Sequence, residues 1–255
     1  MNTTRVGFRQ AAALESVKLR TVRSTYWLLA LMAVGTIGMG VVVLAIYRTH
    51  HPVPGAAQMV NDSLAGVVLG QLLAAFLGIL VMTTEYSTGL IKATLVAVPD
   101  RKLLLAAKVA VFGGVLFVVS QVVSFATFFA SQAVLSGSPV PRSALTDPGV
   151  ARAVVLSGVY LTLIGLIGLG LGALVRHTGA AVGLWFGLLF VPMFFAGVLG
   201  IGVAKFLPML ILANSVTVVT ATPGALSGWA GIGVMALYAA IALAAGGFML
   251  RRRDA

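Results

Sequence analysis

Uncharged apolar runs close to the length of a membrane span are the feature that most constrains this chain. A helix of about 20 apolar residues crosses the hydrocarbon core of a bilayer. Six runs near this length occupy residues 26–46, 64–83, 109–134, 153–175, 179–200 and 229–250. The sequence therefore predicts an all-α polytopic membrane protein, with six transmembrane helices in a single domain, 26–255, and a separate N-terminal helix within residues 1–25.

The composition excludes a soluble fold and most metal chemistry. Of the 255 residues, 60% are hydrophobic and 9% are charged, whereas roughly a quarter of the residues in a soluble domain are charged. The chain has no cysteine and three histidines. Disulfides and thiolate metal sites are therefore excluded, and too few ligands remain for a zinc site. We expect no bound metal.

The basic residues predict the orientation of the chain in the membrane. Seventeen Lys and Arg face six Asp and Glu, an excess that in a soluble protein would suggest a nucleic-acid partner. In a membrane protein it reports topology, because cytoplasmic connections are enriched in Lys and Arg. Thirteen of the basic residues fall on the side that holds both termini and four on the other side. The sequence predicts both termini in the cytoplasm and no nucleic-acid partner.

The N-terminal segment predicts an amphipathic helix before the first span. One face of its helical wheel carries Arg5, Arg9, Arg20 and Arg23. Glu15 and Lys18 have the i,i+3 spacing of an ion pair. The helix either lies on lipid headgroups as an anchor or offers a docking surface to a soluble partner.

The cytoplasmic connection between the second and third spans, residues 84–108, predicts a helix, a corner and a second helix. Ser87 or Thr88 can cap the first helix, and Pro99 ends it. Its apolar stripe consists of Ile91, Leu95 and Val98. Asp100 can cap the second helix, which runs through Arg101, Lys102 and Lys108. The connection is either a compact knuckle at the cytoplasmic surface or an amphipathic helix lying on headgroups.

The segment 201–228 predicts an outer re-entrant hairpin rather than a seventh span. Its apolar part is too short to cross a bilayer, and Pro208 and Asn214 interrupt it. A seventh crossing would also carry Arg251–Arg253 outside, against the distribution of basic residues. Irregular backbone at this depth requires protein to cover it.

Small and polar residues within the spans predict helix contacts. The third span carries Ser120, Ser124, Thr127 and Ser131 on one face, which favours interhelical packing over a solute pathway. Gln71 lies in mid-span and needs a polar neighbour or a cavity. The fifth span carries Gly179, Gly183 and Gly187 at four-residue steps, and this ridge predicts a helix interface. Similar pairs at Gly66/Gly70 and Gly168/Gly172 carry less weight, because the chain has 30 glycines.

Several functions lack the residues that they require. No Gly-Lys dipeptide exists, so the Walker A pattern for ATP is absent. All six acidic residues lie outside the predicted spans or at their ends, which leaves no carboxylates for a proton relay. The alternative of a membrane-embedded enzyme would have to rely on a single candidate cluster, His50, His51 and Asp62. We therefore expect no catalytic residues and no ATP site in this chain.

The chain resembles the membrane subunits of type 2 ABC exporters in three features. The segment from Glu15 to Trp27 is similar to their elbow helix. The Glu-Tyr-x-x-Gly segment starting at Glu85, followed by Pro99 and a basic cluster, resembles their coupling region. The third feature is the outer hairpin before the last span. The resemblance implies a half-transporter that pairs with a second, identical or paralogous permease and binds two ABC ATPase subunits, which hold ATP and Mg²⁺.

The resemblance also implies roles for individual residues. The ATPase contact would comprise Glu85, Gly89, Lys92, Pro99, Arg101 and Lys102; the elbow surface Glu15, Lys18, Arg20 and Arg23; and the substrate path or dimer axis Gln71, Phe76, Phe186 and Phe194. It implies a bacterial plasma membrane protein surrounded by lipid. Without carboxylates in the spans, we expect export of an apolar or amphipathic drug, peptide or lipid-like molecule. The alternatives are a stand-alone channel or scaffold, and a membrane-embedded enzyme.

Overall fold

The fold is helical throughout the part of the chain that the computed structural model describes, residues 7–47, 55–137, 142–218 and 223–252. The helices are α1 Phe8–Thr21, α2 Arg23–Tyr47, α3 Ala56–Ser63, α4 Val67–Ser87, α5 Leu90–Ala97, α6 Arg101–Val134, α7 Val150–Val175, α8 Thr178–Phe194, α9 Ala196–Ala204, α10 Pro208–Ser215 and α11 Gly228–Arg252. The predicted all-α class is therefore confirmed.

Five stretches among the described residues are long and apolar enough to cross a membrane, or six if one bent pair counts as a span. The five are α2, α3 with α4, α6, α7 and α11, and the bent pair is α8 with α9. The predicted first, third, fourth and sixth spans lie within α2, α6, α7 and α11. The helices are those of a multi-pass membrane protein.

The second and fifth spans differ from their predicted bounds. The second apolar stretch covers Ala56–Ser87 and is broken between α3 and α4, so it begins eight residues before the predicted start at residue 64. The helix of the predicted fifth span, α8, ends at Phe194 instead of residue 200. The next helix, α9, is bent from it by 100°. Pro192 lies in the last turn of α8 and has no amide hydrogen to donate to the carbonyl oxygen of Leu188, which weakens the end of the helix. The chain therefore turns at Phe195, before the predicted end of the fifth span, and the outer re-entrant hairpin stays a prediction.

The centre of the bundle is α7, which packs against α4, α6 and α11. Glycine makes these contacts close. A methyl group at Gly78 would overlap the carbonyl oxygen of Gly165, and one at Gly168 would overlap that of Ala75. Close backbone approach of this kind replaces the hydrophobic driving force that is missing between helices in lipid. The Gly168/Gly172 pair, given little weight above, lies at the close contact between α7 and α4.

The polar face of the third span packs inside the bundle. Ser120, Ser124, Thr127 and Ser131 are fully buried. The Ser124 hydroxyl donates to the carbonyl oxygen of Val154 at 2.6 Å, which joins α6 to α7. These contacts support the predicted role of this face in interhelical packing.

Side-chain contacts identify which helix ends lie together. We define the basic end of the bundle by Glu85, Lys108, Arg176 and Arg251. Here Arg101 at the start of α6 donates to the carbonyl oxygen of Leu250 in α11 at 2.6 Å. Lys108 also contacts Glu15 of α1. The first and last described helices, α1 and the end of α11, therefore meet the same end of the bundle; the cytoplasmic assignment of that end stays a prediction.

Candidate functional site

The candidate site is the corner at the basic end where α5 joins α4 and α6. Gly89 separates α4 from α5 with φ +72°, in the left-handed region that glycine adopts without strain. Thr88 was predicted as a helix cap, but its hydroxyl donates back to the carbonyl oxygen of Thr84 at 2.6 Å. It therefore finishes α4, and Gly89 begins α5.

The second half of the corner forms as predicted. Pro99 follows α5, and Asp100 caps α6 by accepting hydrogen bonds from the backbone amides of Lys102 at 2.9 Å and Leu103 at 3.3 Å. A carboxylate at this position satisfies amides that lack a helical partner. The break between α5 and α6 thus coincides with the proline and the cap that the sequence predicts.

The helix α5 has one buried face and one exposed face. Ile91 and Thr94 are buried, and Val98, just after the helix, packs in a small apolar cluster with Ala11 of α1 and Leu104 of α6. The exposed face carries Leu90, 56% exposed, and Val96, 82% exposed, with the exposed Lys92 between them. The corner thus presents large apolar side chains on a packed base.

Beneath α5 lies an ion-pair cluster that connects four helices, defined by Glu15, Lys18, Glu85 and Lys108. The Lys108 ammonium contacts Glu15 Oε2 at 2.5 Å and Glu85 Oε1 at 2.6 Å. The Lys18 ammonium contacts Glu15 Oε1 and Glu85 Oε1, both at 2.9 Å. Lys18 also donates to the Thr94 hydroxyl at 2.9 Å. Two carboxylates and two ammonium groups balance, so the cluster is neutral although three of its members are buried.

The environment of Lys18 favours its charged form. Burial lowers the pKa of Lys18, but hydrogen bonds and attraction from Glu85 and Glu15 outweigh burial, so the pKa lies above its ordinary value of 10.5. A raised lysine pKa means that the folded state binds the proton more tightly. The stabilisation from Lys18 is therefore fully present below pH 10.5 and is lost as the pH rises through the raised value.

Two acidic residues predicted as surface contacts are inside the protein. Glu85 was predicted in the ATPase contact and Glu15 on the elbow surface, but their side chains are 7% and 3% exposed. Burial requires their charges to be paired within the chain. Both act in the ion-pair cluster, and this corrects the prediction. The i,i+3 pairing of Glu15 with Lys18 was predicted from the sequence. The contacts of Glu85 with Lys18 and Lys108, and that of Lys18 with Thr94, were not.

The other residues of the two predicted contact sets lie near the surface. Gly89, Lys92, Pro99 and Lys102 are exposed around the corner, and Arg20 and Arg23 are exposed where α1 meets α2. Arg101 is half-buried and is held against α11 through Leu250. The surface around α5 therefore consists of the exposed face of α5 itself and of Lys102 at the start of α6.

The four residues predicted along the dimer axis are not together. Gln71 is fully buried; its carbonyl oxygen accepts from the Tyr160 hydroxyl at 2.8 Å, and its amide donates to Met209 Sδ at 3.2 Å. It therefore joins α4 to α7 and α10 instead of facing an open axis. Phe76 is half-buried, whereas Phe186 and Phe194 are 43% and 84% exposed on α8.

The glycine ridge of α8 has no partner helix among the described residues. A methyl group at Gly183 or Gly187 would meet nothing within 4 Å, and one at Gly179 would meet only the neighbouring His177. The ridge is therefore not an interface within the described chain. A contact with a second subunit stays a prediction.

The enzyme alternative stays untested, because two residues of its candidate cluster lie outside the described part of the chain. These two are His50 and His51, whereas Asp62 is engaged by the Tyr47 hydroxyl at 2.8 Å and the Gln58 amide at 3.0 Å. Among the described residues, no group of three His, Cys, Asp or Glu is arranged to hold a metal.

Comparison with known families and with curated proteins of known function found no match to this chain. The class defined by the fold is therefore that of a multi-pass, all-helical membrane protein with a structured corner at its basic end.

Proposed function

We propose that this chain is the membrane subunit of an ATP-driven transporter and that α5 is its contact with a separate ATPase subunit. The observation that carries the proposal is the exposed face of α5, with Leu90, Lys92 and Val96. Large apolar side chains grouped on a surface are typical of a protein contact. The resemblance to type 2 ABC exporters supplies the identity of the partner.

The ion-pair cluster supports a role for this corner in transmitting movement. Lys18 contacts both Thr94 of α5 and Glu85 at the end of α4. Glu85 in turn contacts Lys108 of α6. A displacement of α5 by a partner would therefore act directly on two helices of membrane-spanning length. Rigid helices joined by a buried polar network can carry coupling of this kind.

The proposed transporter contains two membrane subunits, identical or paralogous, and two ABC ATPase subunits that hold ATP and Mg²⁺. The uncovered face of α8 supports pairing of the membrane subunits, because Gly183 and Gly187 leave room for a close helix and Phe186 and Phe194 supply apolar area. In this proposal the chain itself binds no cofactor.

Export from the bacterial cytoplasm by alternating access is the transport mode that we propose. The substrate class is apolar or amphipathic, in keeping with the absence of acidic residues from the middle of the apolar stretches. Lipid-like molecules, drugs and hydrophobic peptides belong to this class.

The test is purification of the tagged chain from its native membranes in mild detergent, followed by mass spectrometry of bound chains and measurement of ATP hydrolysis. We expect an ATPase subunit with a Walker A sequence. Val96→Asp should remove it, because an acidic side chain would replace an apolar contact on α5. Val17→Asp is the matched control, since Val17 is 59% exposed on α1, and should retain it. An ATPase retained equally by both variants would contradict the α5 contact.

A second candidate role for α5 is attachment to lipid headgroups, which Lys92 beside exposed apolar side chains also favours. In that case no ATPase co-purifies, and Val96→Asp weakens binding of the region to anionic vesicles. A chain that purifies alone and conducts solute without ATP would instead be a stand-alone channel.

A further inference from the structure

A groove at the basic end of the bundle is lined by basic residues in one part and by apolar residues in the other. It lies between α6 and α11 and encloses about 380 Å³. Its rim carries Arg101 and Lys102 of α6 and Arg251 of α11. No Asp or Glu of the described residues lines it.

The groove becomes apolar below this rim. Its deeper walls include Leu105 and Val109 of α6 and Leu243 and Ala244 of α11. At about 1.5 Å per helical residue, Val109 lies roughly 12 Å along the axis from Arg101, and Leu243 lies as far from Arg251. The helices α6 and α11 thus place their cations at the rim and their apolar side chains deeper in the groove, further along the helix axes.

The position of Arg101 at the rim is fixed by contacts within the chain. Arg101 Nη1 donates to the carbonyl oxygen of Leu250 at 2.6 Å and to that of Arg251 at 3.4 Å. These bonds hold the guanidinium of α6 against the last turn of α11. At the floor, Gly247 lies beside Leu105, and a methyl group there would come within 2.9 Å of Leu105 Cδ2.

We propose that this groove binds one anionic phospholipid, with its phosphate at the rim of Arg101, Lys102 and Arg251 and an acyl chain along Leu105 and Leu243. Basic pockets between transmembrane helices on the cytoplasmic side bind anionic headgroups. A free phosphate would use the rim and leave the apolar walls unoccupied. The proposal rests on the groove geometry and does not depend on the proposed ATPase partner.

This site assigns a different contact to two residues from the predicted ATPase set. Arg101 and Lys102 line the α6–α11 groove, whereas the exposed face of α5 consists of Leu90, Lys92 and Val96. A bound lipid would bridge the first turn of α6 to the last turn of α11, next to the corner that holds α5.

The first experiment measures retained lipid by native mass spectrometry of the purified chain, with any bound subunits, in mild detergent. Phosphatidylglycerol is compared with phosphatidylcholine of the same acyl chains. We expect a preference for phosphatidylglycerol that falls about 25-fold in Lys102→Gln/Arg251→Gln, since each cation near a headgroup contributes roughly a fivefold increase in affinity. Arg101 stays unchanged because it also holds α11.

The control has the same change of charge outside the groove. Arg9→Gln/Arg252→Gln removes two exposed cations, of which Arg252 lies over the Phe248 ring at 4.3 Å, and should keep the preference. A loss as large as in the groove variant would show general attraction of anionic lipid and overturn the site.

The second experiment tests the acyl chain. Ala244→Trp fills the exposed lower groove without changing charge and should abolish retention of phosphatidylglycerol while the thermal unfolding temperature stays near that of the wild type. Unchanged retention would overturn the proposal. Competition with inorganic phosphate provides a further measurement: displacement of phosphatidylglycerol by millimolar phosphate would identify a free-anion site and overturn the lipid assignment, and failure to displace it supports the lipid.

Discussion

At the scale of single residues, Lys108 determines whether the candidate site can form. Its side chain is 2% exposed, and its ammonium contacts both buried carboxylates, Glu15 and Glu85. Removing one member of a buried ion-pair network leaves an uncompensated charge in the protein interior. The resulting loss of stability is larger than the stability that the intact network provides relative to apolar side chains in its place.

We therefore expect Lys108→Met to lower the free energy of unfolding by about 3 to 5 kcal/mol. Titration of the purified protein with denaturing detergent, followed by circular dichroism, measures the loss. Arg20→Met is the control, because Arg20 is exposed on the same end of the bundle, and should change stability by less than about 0.5 kcal/mol. Adding Glu15→Gln and Glu85→Gln to Lys108→Met should recover part of the loss; no recovery would show that the charges are not the cause.

At the scale of elements, the corner around α5 depends on one backbone conformation. Gly89 has φ +72°, and a methyl group there would meet nothing within 4 Å. Any cost of a side chain at this position therefore comes from the backbone and not from a clash. The resulting direction change places α5 against α1 and α6.

We expect Gly89→Ala to destabilise the protein by about 1 to 2 kcal/mol, the cost of a left-handed conformation for a residue with a Cβ atom. Gly89→Asn should cost less, because asparagine tolerates this region. Gly38→Ala serves as the control, since Gly38 lies within helix α2 with equal space around it, and should be neutral or slightly stabilising. The same detergent titration measures all three variants. Equal effects of Gly89→Ala and Gly38→Ala would show that the turn is not strained.

At the scale of the whole molecule, the described residues include a surface suited to pairing and a basic end where α1 and the end of α11 lie. The pairing surface is α8, where Gly183 meets no described atom within 4 Å. Leucine at this position therefore fits within a single chain and conflicts only with a second helix.

We expect Gly183→Leu to weaken the dimer while leaving insertion and unfolding of the single chain unchanged. Overpacking at a close helix contact costs typically about 1 to 3 kcal/mol. Light scattering after size-exclusion chromatography in mild detergent measures the oligomeric state. Gly35→Leu, on α2 with the same open surroundings, is the control. A wild-type oligomeric state and export in Gly183→Leu would show that the ridge faces lipid.

The predicted orientation is tested with single cysteines, because the chain has none of its own. Lys92→Cys and a cysteine added after Ala255 should be protected from an impermeant thiol reagent in intact cells. Thr146→Cys, exposed at the opposite end of the bundle, should be labelled. External labelling after Ala255 would contradict the placement of both termini in the cytoplasm.

Local sequence signals were enough to predict much of this architecture. The apolar runs predict α2, α6, α7 and α11, since any helix of that length and composition requires lipid or a protein interior. Pro99 and Asp100 predict the corner because both act on neighbouring backbone groups. The predictions of where α8 ends and where the second span begins were less accurate. Several residues in each segment permit a turn, and the packing of the helices selects one of them.

What only the tertiary structure decided is which distant residues meet. The sequence identified Glu15 with Lys18 and the need of Gln71 for a partner, but not the contacts Glu85–Lys108 or Gln71–Tyr160, which join positions on different helices. Likewise the sequence showed the glycine pattern but not which helices pack against it. A methyl group at Gly168 would overlap α4, whereas one at Gly183 would meet no described atom within 4 Å. The sequence by itself determined helices, corners and polarity, because these depend on neighbours along the chain. Their pairing depends on the rotation of each helix about its axis, which is set only when all helices pack together.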